Sequence, residues 1–165
     1  MIALKTYLPE SNAIEDVHEE AAFEDMAAAW DSLESQKELT HEVVQDAHGR
    51  LLENRQPNIA GVYRDVQVTV GGRRAPQPVV VEPKMDELLQ WTPVNPMEAI
   101  EWHVAFERIH PFQDGNGRIG RLLHLWHCQK QLNVESILWR ADDRQGYYSP
   151  FETEIDVQER IDSEE

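Results

Sequence analysis

Apolar positions recur along most of this chain with the period of a helix. Ile14, Val17, Ala21, Met26, Trp30 and Leu33 fall near helical spacing with acids between them. They predict one long or broken helix that starts after Pro9 and runs to about Lys37. Thr40 is a suitable N-cap for the next helix, HEVVQDAHGRLLEN, whose stripe is Val43, Val44, Ala47, Leu51 and Leu52. The period then changes from helical to alternating. GVYRDVQVTVGGRRAPQPVVVEP interleaves valine with polar residues around Gly71-Gly72, which predicts a short β-hairpin followed by an extended loop. Pro76, Pro78 and Pro83 argue against a wide sheet there.

Asp86 starts a short predicted helix, DELLQW. Asn95-Pro96 then supplies an N-cap followed by proline at the first helical position, opening PMEAIEWHVAFERI. That helix must stop before Pro111, because proline disfavours helical geometry at the preceding His110. A last helix is expected from about Asn116 to Leu132, carrying Ile119, Leu122, Leu123 and Trp126. The pattern is that of a mainly α domain with one small hairpin, and no internal repeat or linker divides residues 1–165. The polar tail, 157–165, is expected to fray.

Composition narrows the function classes. The chain carries 31 acidic and 15 basic side chains, a formal charge of −16. This argues against direct nucleic-acid binding, which needs basic surface to displace counterions. Lysine is scarce, which suits a salt-rich cytoplasm as well as an ordinary acidic protein. The lone cysteine, Cys128, allows no internal disulfide, and no apolar run is long enough to span a membrane. A cytoplasmic protein is expected.

Against that background, residues 108–130 hold four Lys/Arg (108, 118, 121 and 130) and one acid, Asp114. At its centre is HPFQDGNGRIGR, residues 110–121. Gly115 and Gly117 bracket Asn116 where a helix begins, so main-chain N–H groups and the positive end of the helix can face an anion. Arg118 and Arg121 stand one turn apart and can both reach a polyphosphate. Asp114 would repel that anion unless a divalent cation lay between them, and Mg²⁺ fits one carboxylate plus phosphate oxygens. His110 is placed to take a proton from an attacking hydroxyl. Phe112 reads as an apolar anchor. His124, His127 and Cys128 have metal-ligand spacing but read as packed side chains.

The stretch resembles the signature of the Fic (Fic/Doc) family, His-Pro-Phe-x-Asp/Glu-Gly-Asn-Gly-Arg-x-x-Arg, at every specified position. GVYR (61–64), the hairpin and DRQGYY (143–148) are similar to family features as well. The resemblance implies a helical Fic-type domain with a hairpin flap, 61–83, over the active site. It further implies transfer of AMP from ATP to a Ser, Thr or Tyr hydroxyl of a target protein docked on that flap. His110 would be the general base and Asp114 the Mg²⁺ ligand. Gly115, Asn116 and Gly117 would cradle the phosphates, with Arg118 at the β-phosphate and Arg121 at the γ-phosphate. Related proteins remove AMP or use other nucleotides, and base selectivity falls outside the motif, with Tyr147 and Tyr148 as candidates. A repressed nucleotide-sensing module is the other alternative. Self-modification and a homodimer stay open.

The family also carries an inhibitory motif, Ser/Thr-x-x-x-Glu-Gly/Asn. SNAIED (11–16) resembles it at Ser11 and Glu15 and departs at Asp16. In a helix Ser11 and Glu15 share a face, and the carboxylate could pair with Arg121 and displace the γ-phosphate. The region 1–37 is therefore expected to be inhibitory. The competing reading is a capping box between Asn12 and Glu15.

Overall fold

The computed structural model describes residues 4–15, 19–136 and 139. DRQGYY, with Tyr147 and Tyr148, and the tail 157–165 lie outside the described residues. The fold is mainly α, as the periodicity predicts. In chain order it runs α1 (Leu4–Ile14), α2 (Glu20–Glu34), α3 (His41–Leu52), β1 (Thr69–Val70), β2 (Arg73–Arg74), α4 (Val81–Gln90), α5 (Pro96–Ile109) and α6 (Asn116–Trp126).

Two helix starts follow the predicted caps. Thr40 Oγ1 accepts from Val43 N at 3.3 Å, and Asn95 Oδ1 accepts from Glu98 N at 3.0 Å. Each satisfies a first-turn N–H that no helical carbonyl can reach. α2 lies along α3 and α5 along α6, while α1 touches both α2 and α6. Trp30, Trp102, Phe106, Phe112, Leu51 and Leu122 are sealed in the common core.

Four element predictions need correction. The first helix does not start after Pro9: α1 begins at Leu4 and contains Pro9. An interior proline costs about 3 kcal/mol, so tertiary contacts must offset it. Tyr7, Leu8 and Ile14 are buried, and Tyr7 Oη donates to the Arg121 carbonyl at 2.8 Å. Asn12 lies inside α1 rather than at a helix start, and its Nδ2 reaches across to the Ala22 carbonyl at 2.9 Å. It therefore ties α1 to α2 and forms no capping box.

The second correction concerns α4, which begins at Val81 rather than Asp86. Pro83 sits in its first turn, where its missing N–H costs nothing. Val81, Met85 and Leu88 then form the buried stripe. The third is the hairpin, which is much shorter than the alternation predicts. Only Thr69↔Arg74 and Val70↔Arg73 pair, around Gly71 and Gly72, both at positive φ, as a tight primed turn requires. Val62 and Val66 are exposed, because no partner strand exists to bury one face of 62–68. The fourth is the last helix: past Trp126 it widens into a π-type turn, His127–Leu132, before Asn133 turns left-handed.

The buried histidines set a pH dependence. Burial lowers the pKa of His48, His124 and His127 to about 4, against about 6.5 in an unfolded chain. Between those values the unfolded state holds more protons, so stability falls as pH drops. Burial raises Glu107 to about 8, so there the folded state holds the extra proton and stability falls as pH rises from about 4.5. These imidazoles, with His103 also lowered well below its ordinary value by burial, outweigh one carboxyl on the acid side, and between about pH 6.5 and 8 Glu107 dominates. The urea midpoint is expected to peak near neutrality and to fall more steeply toward pH 4.5. A flat acid limb would contradict the buried neutral histidines.

Candidate active site

α5 ends where the sequence requires. His110 N–H still reaches the Phe106 carbonyl at 3.0 Å, but the residue itself adopts φ 50, ψ 62. A non-glycine residue in this left-handed region is uncommon and strained. The helix therefore stops with the His110 side chain turned into the loop 111–115. Burial lowers the imidazole pKa, with the Glu107 carbonyl opposing and Arg64 adding to the effect. The ring is thus held neutral near pH 7 and can accept a proton.

Three side chains, Asn116, His48 and Arg64, hold the loop in shape. Asn116 spends its whole amide on it: Oδ1 accepts from Phe112 N at 2.8 Å and Nδ2 donates to Phe112 O at 2.8 Å. Its side chain builds the cradle rather than facing into it. Phe112 is fully buried, as an anchor should be, and stacks on His48 with ring centroids 3.7 Å apart. His48 accepts from Gly61 N at Nδ1 (2.9 Å) and donates from Nε2 to the Asp114 carbonyl (2.8 Å). Those two bonds assign its neutral tautomer.

Arg64 closes the other side. Its guanidinium donates to the carbonyls of His110 (2.7 Å) and Ile109 (3.3 Å) at the end of α5. His48 is legible in the sequence only as a histidine within an apolar stripe, and Arg64 only as the last residue of GVYR, with no role assigned to it. Nothing local names their partners.

Asp114 is half exposed. Its Oδ1 accepts from Gly115 N at 2.7 Å and its Oδ2 from Gln56 Nε2 at 2.5 Å. Burial would raise its pKa, but the Gln56 and Gly115 bonds and the charge of Arg118 outweigh burial, so the carboxyl lies below its usual value. It is ionised at neutral pH. Gly115 takes φ 78 at the start of α6, and an added Cβ would press on His48, Leu52 and Leu51. Arg118 is buried, with Nη2 3.8 Å from Asp114 Oδ1. Its Nε has no hydrogen-bond partner among the described residues. A buried guanidinium donor in that condition calls for an acceptor.

The structure brings Ser11, Glu15 and Arg121 together. Arg121 is 1% exposed. Its Nε donates to Ser11 Oγ at 2.8 Å, its Nη2 to the Ser11 carbonyl at 2.7 Å, and its Nη1 to Glu15 Oε1 at 3.1 Å. Glu15 Oε1 also lies so close over Gly117 that a Cβ there would collide with it. The carboxylate therefore occupies the first turn of α6, where an anion is favoured by free N–H groups and the helix dipole. His110, Asp114, Gly115, Asn116, Gly117, Arg118 and Glu15 line one cavity of about 110 Å³.

Away from this cavity, His124 Nδ1 faces the Ala99 carbonyl, His127 Nδ1 faces Gln131, and Cys128 Sγ lies 3.5 Å from His124 Nε2. Each of these contacts is a packing or hydrogen-bonding one.

Comparison with known proteins bears on the same residues. The model of the Fic/DOC family matches residues 38–128. The protein adenylyltransferase Fic of Nematostella vectensis is 31% identical over 123 residues, 70% of this chain and 29% of that protein. The protein adenylyltransferase fic-1 of Caenorhabditis elegans is 33% identical over 119 residues, 68% of this chain and 23% of that protein. The chain thus spans less than a third of the length of these curated relatives. Among solved structures, Fic-1 (residues 134–508) from C. elegans superposes with a TM-score of 0.74 at 22% identity, over 88% of this chain and 53% of that one. A Fic family protein from Desulfovibrio desulfuricans superposes with a TM-score of 0.63 at 27% identity, over 84% of this chain and 49% of that one. The matched segment runs from the start of α3 through the His110 loop and α6, and the chain belongs to the Fic/DOC family.

Proposed function

We propose that this chain is an autoinhibited protein adenylyltransferase, moving AMP from ATP to a Ser, Thr or Tyr hydroxyl of a target protein. The observation that carries the reading is the shared cavity: a neutral imidazole, an ionised carboxylate and the amino end of a helix converge on one opening. His110 takes the proton of the attacking hydroxyl, whose oxygen bonds the α-phosphorus as pyrophosphate leaves. Gly115, Asn116 and Gly117 cradle the phosphates, Asn116 and Gly117 through main-chain N–H groups and Gly115, whose N–H is held by Asp114 Oδ1, through its left-handed turn. Arg118 meets the β-phosphate with its unpartnered Nε, and Arg121 meets the γ-phosphate. Such a reaction depends chiefly on positioning and charge neutralisation.

The site also fits a hard cation. Asp114 is ionised and half exposed, and each of its oxygens keeps a lone pair after its hydrogen bond. Asp114 would hold Mg²⁺, and that ion, when bound, neutralises charge on the phosphate oxygens. The target segment pairs with an open edge of the β1–β2 hairpin, whose main-chain groups have a partner on one side only.

Ser11 and Glu15 act as the brake. They engage all three nitrogens of Arg121, which commits the guanidinium to this segment and not to a terminal phosphate. The cavity beside them, about 110 Å³, is below the ~300 Å³ of the smallest ordinary ligand pockets. Withdrawal of the carboxylate frees Nη1 of the guanidinium and the first turn of α6 together.

Two outcomes are expected with labelled ATP. Glu15→Gly raises incorporation into protein at least tenfold over the unaltered chain; equal incorporation removes the brake from the account. Adding His110→Ala to Glu15→Gly abolishes transfer while nucleotide affinity, measured by calorimetry, changes less than about threefold. Transfer at an undiminished rate would exclude His110 as the base.

A further inference from the structure

Arg64 lies in the irregular stretch between α3 and β1 and is 4% exposed. All the acceptors of its side chain are main-chain carbonyls. Two close the end of α5, His110 at 2.7 Å and Ile109 at 3.3 Å. Two others belong to the two legs of the hairpin root, Val66 before β1 at 3.0 Å and Pro76 after β2 at 2.6 Å. Its own N–H donates to the Pro111 carbonyl at 2.9 Å. One planar cation therefore joins both legs of the hairpin to the backbone of His110 and its neighbours.

The chemistry suits that span. Helix carbonyls at a C-terminus lack partners and carry the negative end of the dipole. A guanidinium offers five donors in a rigid fork, so it can meet carbonyls from three segments at once. A lysine ammonium in the same place would satisfy fewer of them and would not fix their relative positions. The hairpin itself has only two residue pairs and exposed strands. An element that small is marginally stable alone, so its position depends on its root.

We propose that Arg64 is a positioning residue that sets the hairpin at a fixed distance and angle from His110. A hydroxyl carried by a segment paired to the hairpin then meets the base in register. The inference rests on the adenylyl-transfer reading for its chemistry, while the mechanical coupling stands on the hydrogen bonds alone. Arg64 acts through main-chain groups and touches neither nucleotide nor hydroxyl, so its loss should affect transfer to protein much more than nucleotide binding.

Two measurements test it on the full chain with Arg64→Gln and Arg64→Lys. In millisecond hydrogen exchange, the Ala75 amide, bonded to Val68, and the His110 amide, bonded to Phe106, should both exchange several-fold faster. Amides of α2 and α3 should keep their rates. Loosening at one site only, or at neither, overturns the coupling. If Arg64→Gln does not fold, Arg64→Lys carries the same comparison.

The second measurement uses Glu15→Gly as the parent. Transfer to protein should fall about a hundredfold, as for a misplacement of about 1 Å. Nucleotide affinity should stay within twofold, and AMP release to water should persist. Transfer and release to water falling together would make Arg64 a plain helix cap and overturn the proposal. A parent that transfers nothing would refute the adenylyl-transfer reading, and the exchange rates would still decide the role of Arg64.

Discussion

A guanidinium with 1% of its surface exposed needs acceptors for its donors, and Arg121 finds three of them on Ser11 of α1 and on Glu15 just past its end. That requirement organises much of the molecule. The Arg121 carbonyl accepts from Tyr7 Oη, and its side chain donates to Ser11 and Glu15. α1 is therefore fastened to α6 on both sides of Pro9, at Tyr7 and at Ser11, which helps it stay helical across the proline. Removing one partner would leave a buried charge incompletely satisfied, which is costlier than losing a single neutral hydrogen bond. The same contact that completes the fold at the N-terminal side also fills the anion seat at the start of α6.

The basic island in this acidic chain has a different character once folded. Arg108 and Lys130 are exposed, while Arg118 and Arg121, with Arg64 from outside the island, are buried and form no positive surface patch. Each of these three arginines is met by carbonyls, by a carboxylate or by the space of the cavity. Burial strengthens these charges electrostatically because less water screens them. The chain's formal charge of −16 can therefore coexist with an anion site, because the cations sit inside and the acids are mostly outside.

The loop 110–115 depends very little on its own sequence for rigidity. Asn116 closes it from within, but His48 comes from α3 and Arg64 from the stretch before the hairpin. These outside residues fix the orientation of the elements that carry His110 and Asp114. Loops that carry chemistry need such support, because they cannot hold geometry by local hydrogen bonds alone. His48 also illustrates how one neutral tautomer links Gly61 to Asp114 with no charge involved.

What was legible in the residues follows a physical division. The amphipathic stripes of α2, α3, α5 and α6, the caps at Thr40 and Asn95, the stop before Pro111 and the motif at 110–121 are local facts. They depend on side chains within a turn or two of one another, so the amino-acid sequence alone determined them. The extent of α1 across Pro9, the start of α4 at Val81 and the small size of the hairpin are set by burial against distant segments, which overrides local propensity. The pairing of Glu15 with Arg121 joins residues 106 positions apart, and the resemblance at Ser11 and Glu15 could name the partners without making the contact. Only the tertiary structure decided that the contact forms, and that Asn116 shapes the loop while Arg64 ties the hairpin to His110. Hydrogen-bond geometry between distant segments exists only after the core has placed them.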